Sequence, residues 1–241
     1  MSRPQAIVVA GPGTNRDTDA VLALDLAGAE PAVVLAAELI AAPGRLEDAR
    51  IVVLAGGFSY GDALGAGRML ALDLTAGDGG RLGERLRAFV DSGRPVLGIC
   101  NGFQVLTRAG LLPGALGHND HGKFDCRWVT LAAAESRCIW TSGLDDPIHC
   151  PIAHGEGRYV HPDPHGLAVA GQVALRYVGP NPNGSVAAIA GVCDDSGVVL
   201  GLMPHPENHV LPRQHPRHHR DHGTTRFLGL RLFEAAVRHV K

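Results

Sequence analysis

A short apolar run that ends in a cysteine between glycines constrains this chain more than any other feature. Val96–Ile99 is typical of a buried β-strand, Cys100 follows it directly, and a helical pattern begins at Asn101. Gly98 and Gly102 complete a G-x-C-x-G pattern, which is the spacing of a nucleophile elbow with sulfur in place of the serine oxygen. Glycines at these positions allow a sharp strand-to-helix turn and close packing of the helix on the strand.

The elbow also suggests a chemical role for Cys100. At the N-terminus of a helix, the dipole and the free N–H groups favour the thiolate, which is the nucleophilic form of cysteine. We therefore predict that Cys100 is a catalytic nucleophile. The alternative is a small buried cysteine at a strand end, with no chemistry of its own.

The order of apolar patterns predicts the fold class. Strands are predicted at 6–10, 32–35, 51–54 and 96–99, and helices at 18–29, 81–91 and 101–109. Strand, helix and strand in repetition indicate a parallel sheet covered by helices. The second half has strand-like runs at 124–131, 148–152, 173–178, 186–192 and 198–202, and a closing helix is predicted over 225–240. We expect one α/β domain over residues 1–241, with a mostly parallel open sheet flanked by helices and extended by antiparallel strands.

Composition excludes several function classes. The net charge of −2, without a basic run, argues against nucleic acid or an anionic membrane as partner. No apolar stretch reaches the roughly 20 residues that span a bilayer, and the N-terminus lacks a signal-peptide pattern. The five cysteines show no C-x-x-C spacing, which favours a reducing compartment over disulfides or structural zinc. We expect a soluble cytoplasmic protein without a metal site.

A base for the thiol is predicted in the segment after the last strand. Pro206 biases His205 toward an extended conformation, in which residues two apart point to the same side. Glu207 can then orient the imidazole while its other nitrogen faces the thiol. The sequence therefore predicts a catalytic set of Cys100, His205 and Glu207, and the alternative for the H-x-E pair is an ordinary surface loop.

A second H-x-E pair, His154 and Glu156, also follows a predicted strand. Gly155 at its centre loosens the geometry that prolines enforce around His205. We expect this pair, together with Arg158, to lie in a loop that faces the substrate or a partner protein. A catalytic role for the pair is the less favoured alternative.

Stabilisation of an oxyanion is predicted from backbone N–H groups at the same sheet edge. The glycine-rich segment 55–62 follows the strand at 51–54, so it emerges where Cys100 does. We predict that the amides of Gly57 and Asn101 form the oxyanion hole. A plain β-turn is the alternative for this segment.

Two other patterns resemble ligand sites. Gly117–Lys123 matches the first seven positions of a phosphate-binding P-loop, but Phe124 stands at the eighth position and a strand follows instead of a helix. Nucleotide binding is therefore not expected there. The histidines at 209, 215, 218, 219 and 222 could bind a stray divalent metal, but the surrounding prolines and arginines favour a solvated loop.

Together these motifs resemble the class I glutamine amidotransferases, and within that class the family of glutaminase subunits of phosphoribosylformylglycinamidine synthase. The resemblance extends over about residues 11–208. It rests on the segments 13–15, 56–62, 97–104, 109–114, 126–129, 151–159 and 203–207. The elbow and His205–Glu207 mark the wider class, whereas residues 56–62 and 153–159 are typical of the narrower family.

The resemblance implies an activity and partners. Cys100 would attack the side-chain amide of L-glutamine, His205 would protonate the departing ammonia, and Gln104 and Phe58 would contact the substrate. Ammonia would pass to a separate synthetase subunit that uses ATP and Mg²⁺ in purine biosynthesis, often with a small bridging subunit, and this chain would need no cofactor. A stand-alone cysteine hydrolase that does not need His205, and a non-catalytic binding module, are the alternatives.

Overall fold

The apolar runs of the first half form the parallel half of a nine-stranded sheet. The computed structural model describes residues 2–220 and 227–241. Its parallel strands are β1 (Gln5–Ala10), β2 (Glu30–Leu35), β3 (Ile51–Leu54), β4 (Val96–Ile99) and β11 (Val199–Leu202). They lie in the order β2-β1-β3-β4-β11, so β4 is flanked by β3 and β11.

The second half of the chain extends this sheet with antiparallel strands, as the sequence predicts. The order continues through β10 (Ile189–Cys193), β9 (Val173–Val178), β6 (Asp125–Ala133) and β7 (Ile148–His154). A separate pair, β5 (Ala115–Gly117) and β8 (Arg158–Val160), has no counterpart in the sequence prediction. Both strands have three residues, too few to show an alternating pattern. The expected fold class is confirmed.

Seven α-helices accompany the sheet in the described part of the chain. They are α1 (Asp17–Leu26), α2 (Ala36–Ala41), α3 (Arg68–Ala76), α4 (Arg81–Asp91), α5 (Asn101–Arg108), α6 (Pro164–Val169) and α7 (Leu230–His239). The sequence patterns did not predict α2, α3 and α6, of which α2 and α6 have only six residues. The closing helix begins at Leu230 rather than at 225, and positions 225 and 226 lie outside the described residues. None of these helices has the length and apolar character needed to cross a membrane.

The register around β4 brings three chain segments to one edge of the sheet. Leu54 of β3 pairs with Gly98, and Leu202 of β11 pairs with Ile99. The backbone N–H of Cys100 continues this pairing, since it donates to the carbonyl oxygen of Leu202 at 2.8 Å. Parallel strands end at the same edge, so the segments that follow β3, β4 and β11 leave the sheet side by side.

Candidate active site

The predicted elbow at Cys100 is present in the structure. Cys100 has φ 50° and ψ −103° and immediately precedes α5. A positive φ at a residue other than glycine costs of order 1–3 kcal/mol, so the surrounding packing must hold it. The two flanking glycines permit that packing: a Cβ on Gly98 would lie 2.6 Å from the carbonyl oxygen of Gly102, and a Cβ on Gly102 would overlap the carbonyl oxygen of Leu54. The thiol is thereby fixed at the start of the helix.

His205 and Glu207 form a buried hydrogen-bonded pair beside the elbow. The Nδ1 atom of His205 lies 2.7 Å from Oε1 of Glu207, and the side chains are 4% and 0% exposed. The backbone N–H of His205 also donates to the carbonyl oxygen of Pro151 at 2.8 Å, which fixes this segment against β7. Because Nδ1 is engaged by the carboxylate, Nε2 is the ring nitrogen available to a thiol or a substrate.

The electrostatics of His205 connect it to the thiol. Burial alone lowers the pKa of His205, but the charges of Glu207 and Cys100 and hydrogen bonds to both residues outweigh it and raise the pKa to about 10. The Glu207 carboxylate and the hydrogen bond to Cys100 therefore stabilise the imidazolium form of His205. The structure brings the three predicted side chains together at one site, although Cys100 lies more than 100 positions from His205 and Glu207 along the chain.

The glycine-rich segment after β3 lies against this pair. A Cβ on Gly56 would be 2.8 Å from Cε1 of His205 and 3.5 Å from the Cβ atom of Cys100. Gly57 forms an isolated antiparallel bridge with Thr14. Neighbouring residues make the hydrogen bonds of this bridge, and one of them runs from the backbone N–H of Phe58 to the carbonyl oxygen of Gly13 at 3.0 Å. In residues 2–220 and 227–241, neither the Gly57 nor the Asn101 backbone N–H has an acceptor. Both amides are thus available to an oxyanion, which keeps the sequence prediction open.

Gln104 links the elbow helix to the segment after β7. Its Nε2 donates to the carbonyl oxygen of Glu156 at 2.7 Å, and its Oε1 accepts from Nδ2 of Asn101 at 3.0 Å. Asn101 in turn accepts from the backbone N–H of Ser59 at 3.3 Å. Both ends of the Gln104 amide are therefore engaged, and its contact with a substrate stays a prediction.

Other aromatic and charged side chains contact one another in the segments that follow β3 and β7. The sequence patterns did not connect them. Phe58 is 43% exposed and stacks on Phe124 with 6.4 Å between ring centroids. Burial, and then the negative charge of Glu156, raise the pKa of Asp62. The guanidinium of Arg108 lies 3.9 Å from the Glu156 carboxylate. A role of Phe58 in substrate binding stays a prediction.

His154 was predicted to lie in a loop that faces the substrate or a partner protein, and the loop assignment is wrong. His154 is the last residue of β7, pairs with Asp125 of β6 and is 3% exposed. Its Nδ1 contacts Oδ1 of Asn119 at 3.1 Å, a residue 35 positions earlier that no local pattern indicates as a partner. Burial, followed by the positive charge of His205, lowers the pKa of His154 to about 4. His154 is therefore a buried strand residue, whereas Glu156 and Arg158 are half-buried. A role of these three residues toward a substrate or a partner protein stays a prediction.

The prediction that the histidine-rich segment is a solvated loop is wrong for its first two histidines, at 209 and 215. His209 and His215 are buried, and their rings pack on Trp128 at centroid distances of 5.2 and 4.4 Å. His209 Nδ1 also lies 2.5 Å from the carbonyl oxygen of His149 on β7. His218 and His219 are half-buried and exposed respectively, and position 222 lies outside the described residues. The indole of Trp128 and the backbone of β7 contact these histidines, and the composition of the histidine-rich segment does not indicate these contacts.

Comparisons with known proteins agree on one family. The family model described as "CobB/CobQ-like glutamine amidotransferase domain" matches residues 3–240. In an alignment of 274 positions that covers 99% of each protein, the chain is 43% identical to phosphoribosylformylglycinamidine synthase subunit PurQ of Treponema denticola. It is 45% identical to the PurQ subunit of Frankia casuarinae over 210 residues, covering 84% of each. A chain in the structure of PurLQS from Thermotoga maritima superposes with a TM-score of 0.81 at 37% identity, covering 99% of this chain and 100% of that one.

The elbow, the glycine-rich segment and the family match together define a glutamine amidotransferase, and the chain belongs to that family of enzymes. Within it, the chain belongs to the PurQ subunits of phosphoribosylformylglycinamidine synthase.

Proposed function

We propose that this chain is the glutaminase subunit of phosphoribosylformylglycinamidine synthase, and that it releases ammonia from L-glutamine for purine biosynthesis. The observation that carries the proposal is the convergence of Cys100 with the buried His205–Glu207 pair in a chain of the PurQ family. A stand-alone cysteine hydrolase would not need this pair, so the geometry does not favour that alternative.

The first step forms a covalent bond to substrate. The thiolate of Cys100 attacks the side-chain carbonyl carbon of glutamine, and the electron pair of the C=O bond moves onto oxygen. The backbone N–H groups of Gly57 and Asn101 donate to that oxyanion. Donors of this kind contribute about 2.7–4 kcal/mol each to transition-state stabilisation.

The second step releases ammonia and then glutamate. His205 gives its Nε2 proton to the departing nitrogen, so the C–N bond breaks and a thioester to Cys100 remains. The neutral His205 then takes a proton from water, and the resulting hydroxide attacks the thioester carbonyl. Cleavage of the C–S bond restores the thiolate, and Glu207 holds the ring orientation through both proton transfers.

The ammonia requires a consumer. We assign it to a separate synthetase subunit that uses ATP and Mg²⁺, with a small bridging subunit in the same complex, while this chain itself needs no cofactor. Support comes from the T. maritima neighbour, whose structure is of PurLQS. We further propose a cytoplasmic location and a single domain over residues 1–241.

The experiment is a nitrogen-source comparison in the reconstituted complex. Cys100→Ala should abolish synthesis of formylglycinamidine ribonucleotide from glutamine, while ammonium salt should still support it. Cys126→Ala, which removes an exposed thiol, is the matched control and should keep both activities. Glutamine-dependent synthesis by the Cys100→Ala complex would refute the proposal.

A further inference from the structure

A row of hydrogen bonds through the Asn101 side chain connects three segments that meet at the elbow. The backbone N–H of Ser59, in the segment after β3, donates to Oδ1 of Asn101 at 3.3 Å. Nδ2 of Asn101 donates to Oε1 of Gln104 at 3.0 Å, and Nε2 of Gln104 donates to the carbonyl oxygen of Glu156, after β7, at 2.7 Å. A longer contact joins Nδ2 of Asn101 to Oδ1 of Asp62 at 3.5 Å. Ser59, Asn101 and Gln104 are at most 5% exposed, so water has little access to these bonds.

The two ends of this row fix the direction of both side-chain amides. A carboxamide has an acceptor at one end and a donor at the other, and a half-turn exchanges them. The backbone N–H of Ser59 can only donate, and the carbonyl oxygen of Glu156 can only accept. Asn101 therefore presents Oδ1 to the first group, and Gln104 presents Nε2 to the second. Nδ2 of Asn101 and Oε1 of Gln104 then face each other as donor and acceptor, so each amide holds the other in one orientation.

Gln104 keeps polar groups for a substrate in this orientation. Its backbone N–H donates to the carbonyl oxygen of Cys100 at 3.1 Å, which places Gln104 about one helical turn from the nucleophile. An amide nitrogen has two hydrogens and an amide oxygen has two lone pairs, and Glu156 and Asn101 use one of each. Among the residues that the structure describes, the other hydrogen and the other lone pair have no partner. They are therefore available to the polar groups of a glutamine molecule.

The bond from Ser59 orients Asn101 and is not needed to hold its own segment. The backbone N–H groups of Phe58 and Tyr60 donate to carbonyl oxygens of the loop after β1, at 3.0 and 2.6 Å. These bonds on either side of Ser59 fix the segment that contains Gly57 without help from Asn101. Loss of the Asn101 side chain should therefore affect Gln104 more than the predicted oxyanion hole.

We propose that the side chain of Asn101 is a positioning residue for glutamine binding, which holds the Gln104 amide in the orientation that the substrate requires. The inference rests on the proposed function, because it assigns a role in binding L-glutamine. The side chain acts through Gln104, whereas the backbone N–H of Asn101 is the predicted oxyanion donor. Without this side chain, the buried Oε1 of Gln104 loses its donor, so the amide turns toward another partner and binding weakens.

The test is a double-mutant cycle in the reconstituted complex, with Asn101→Ala, Gln104→Ala and the double variant. Each single variant should raise KM for glutamine about tenfold, the effect expected when a buried neutral hydrogen bond loses one partner. In each, kcat should fall less than about threefold, since binding rather than the chemical step is altered. KM of the double variant should stay within about twofold of the Gln104→Ala value, because Asn101 has no amide left to orient.

Controls separate this positioning role from a purely structural one. Ammonia-dependent synthesis should be unchanged in all three variants, which shows that each chain folds and assembles. Thr107→Val is the matched control, because it removes two hydrogen bonds from Oγ1 to carbonyl oxygens of the same helix, and KM should be unchanged. Asn101→Asp keeps the acceptor for Ser59, but its ionised carboxylate has no proton to donate to Gln104, so KM should rise about tenfold.

The outcomes distinguish this inference from the proposed function. An unchanged KM in either single variant, or effects that multiply in the double variant, would overturn the inference. Loss of glutamine activity in the Cys100→Ala complex would still support the proposed function in that case, whereas glutamine use by that complex would refute it. If Asn101→Ala lacks ammonia-dependent synthesis, Asn101→Asp replaces it in the cycle with the same expected coupling, and an unchanged KM there would overturn the inference.

Discussion

The same His-x-Glu spacing occurs twice in this chain, and the two copies have opposite environments. His205 contacts Glu207 at 2.7 Å, and its pKa is raised to about 10. His154 contacts Asn119 instead, and its pKa is lowered to about 4. Both histidines are buried, so burial alone does not account for the difference.

The residue between the histidine and the glutamate accounts for the different environments of the two histidines. Pro206 restricts the backbone of His205 and begins a short 3₁₀ helix, Pro206–His209, in which the Glu207 carboxylate contacts the imidazole. Gly155 imposes no such restriction, and the Glu156 carboxylate lies near Arg108, at 3.9 Å, rather than serving as a partner of His154. A spacing motif therefore indicates a catalytic pair only when the intervening backbone holds both side chains together.

Replacing each histidine should give the largest difference between the two copies. His205→Ala should lower kcat for glutamine hydrolysis by roughly 10²–10⁴-fold, the range for loss of a general acid–base. His154→Asn should change kcat by less than about tenfold, since a hydrogen bond to a neutral partner contributes about 1 kcal/mol. Steady-state kinetics with the synthetase present measures both. Equal losses in the two variants would contradict the assignment of His205 as the base.

Neutralising each carboxylate should give a smaller difference. Glu207→Gln should lower kcat roughly ten- to hundredfold, because a hydrogen bond to a charged group contributes about 1.5–3 kcal/mol. The control, Glu156→Gln, should change kcat less than about fivefold, since a partly exposed ion pair contributes at most about 1 kcal/mol. Ammonia-dependent synthesis should be unchanged in both variants. A larger loss in the Glu156 variant would reverse the roles of the two copies.

Gly56→Ala tests whether the close packing around His205 matters for its function. The added Cβ would lie 2.8 Å from Cε1 of His205, so the ring must shift, and we expect kcat to fall about tenfold. Gly44→Ala is the control, because its nearest neighbour is the far end of Glu47 at 3.9 Å. Kinetics and thermal unfolding are measured for both. Full activity of a folded Gly56→Ala enzyme would show that this contact has no role.

The smallest predicted effect concerns stability, and its sign differs between the two histidines. The raised pKa of His205 contributes stability that is complete below pH 6.5 and is lost as the pH rises toward about 10. The lowered pKa of His154 contributes stability that is complete above pH 6.5 and is lost as the pH falls toward about 4.

Denaturant unfolding across this pH range tests the two signs. His154→Asn should flatten the acid side of the stability profile, and His205→Ala should flatten the alkaline side. The opposite pattern, or two unchanged profiles, would contradict the pKa shifts.

The sequence predicted the fold class and the elbow because both depend on local patterns. Val96–Ile99, Arg81–Asp91 and Ile51–Leu54 have the predicted boundaries, since apolar periodicity and turn residues mark their ends. The elbow at Cys100 could be predicted from the strand Val96–Ile99 and from the glycines at 98 and 102. Short elements such as β5 (Ala115–Gly117) contain too few residues for such a pattern.

The wrong predictions concern residues whose environment comes from distant parts of the chain. Asn119, which contacts His154, lies in the segment Gly117–Lys123, whose spacing matches part of a P-loop and gives no sign of this contact. Trp128 buries His209 and His215, which composition places in solvent. Tertiary contacts of this kind leave no periodic signal in a single sequence.

The proposed mechanism requires Cys100 as the nucleophile and His205 as the residue that activates it. The most direct measurement is alkylation by a chloroketone analogue of L-glutamine, with the synthetase present, followed by peptide mass mapping and a rate comparison with His205→Ala. We expect a single adduct on Cys100 and a much slower reaction in the variant. An adduct on another cysteine, or an unchanged rate without the imidazole, would contradict it.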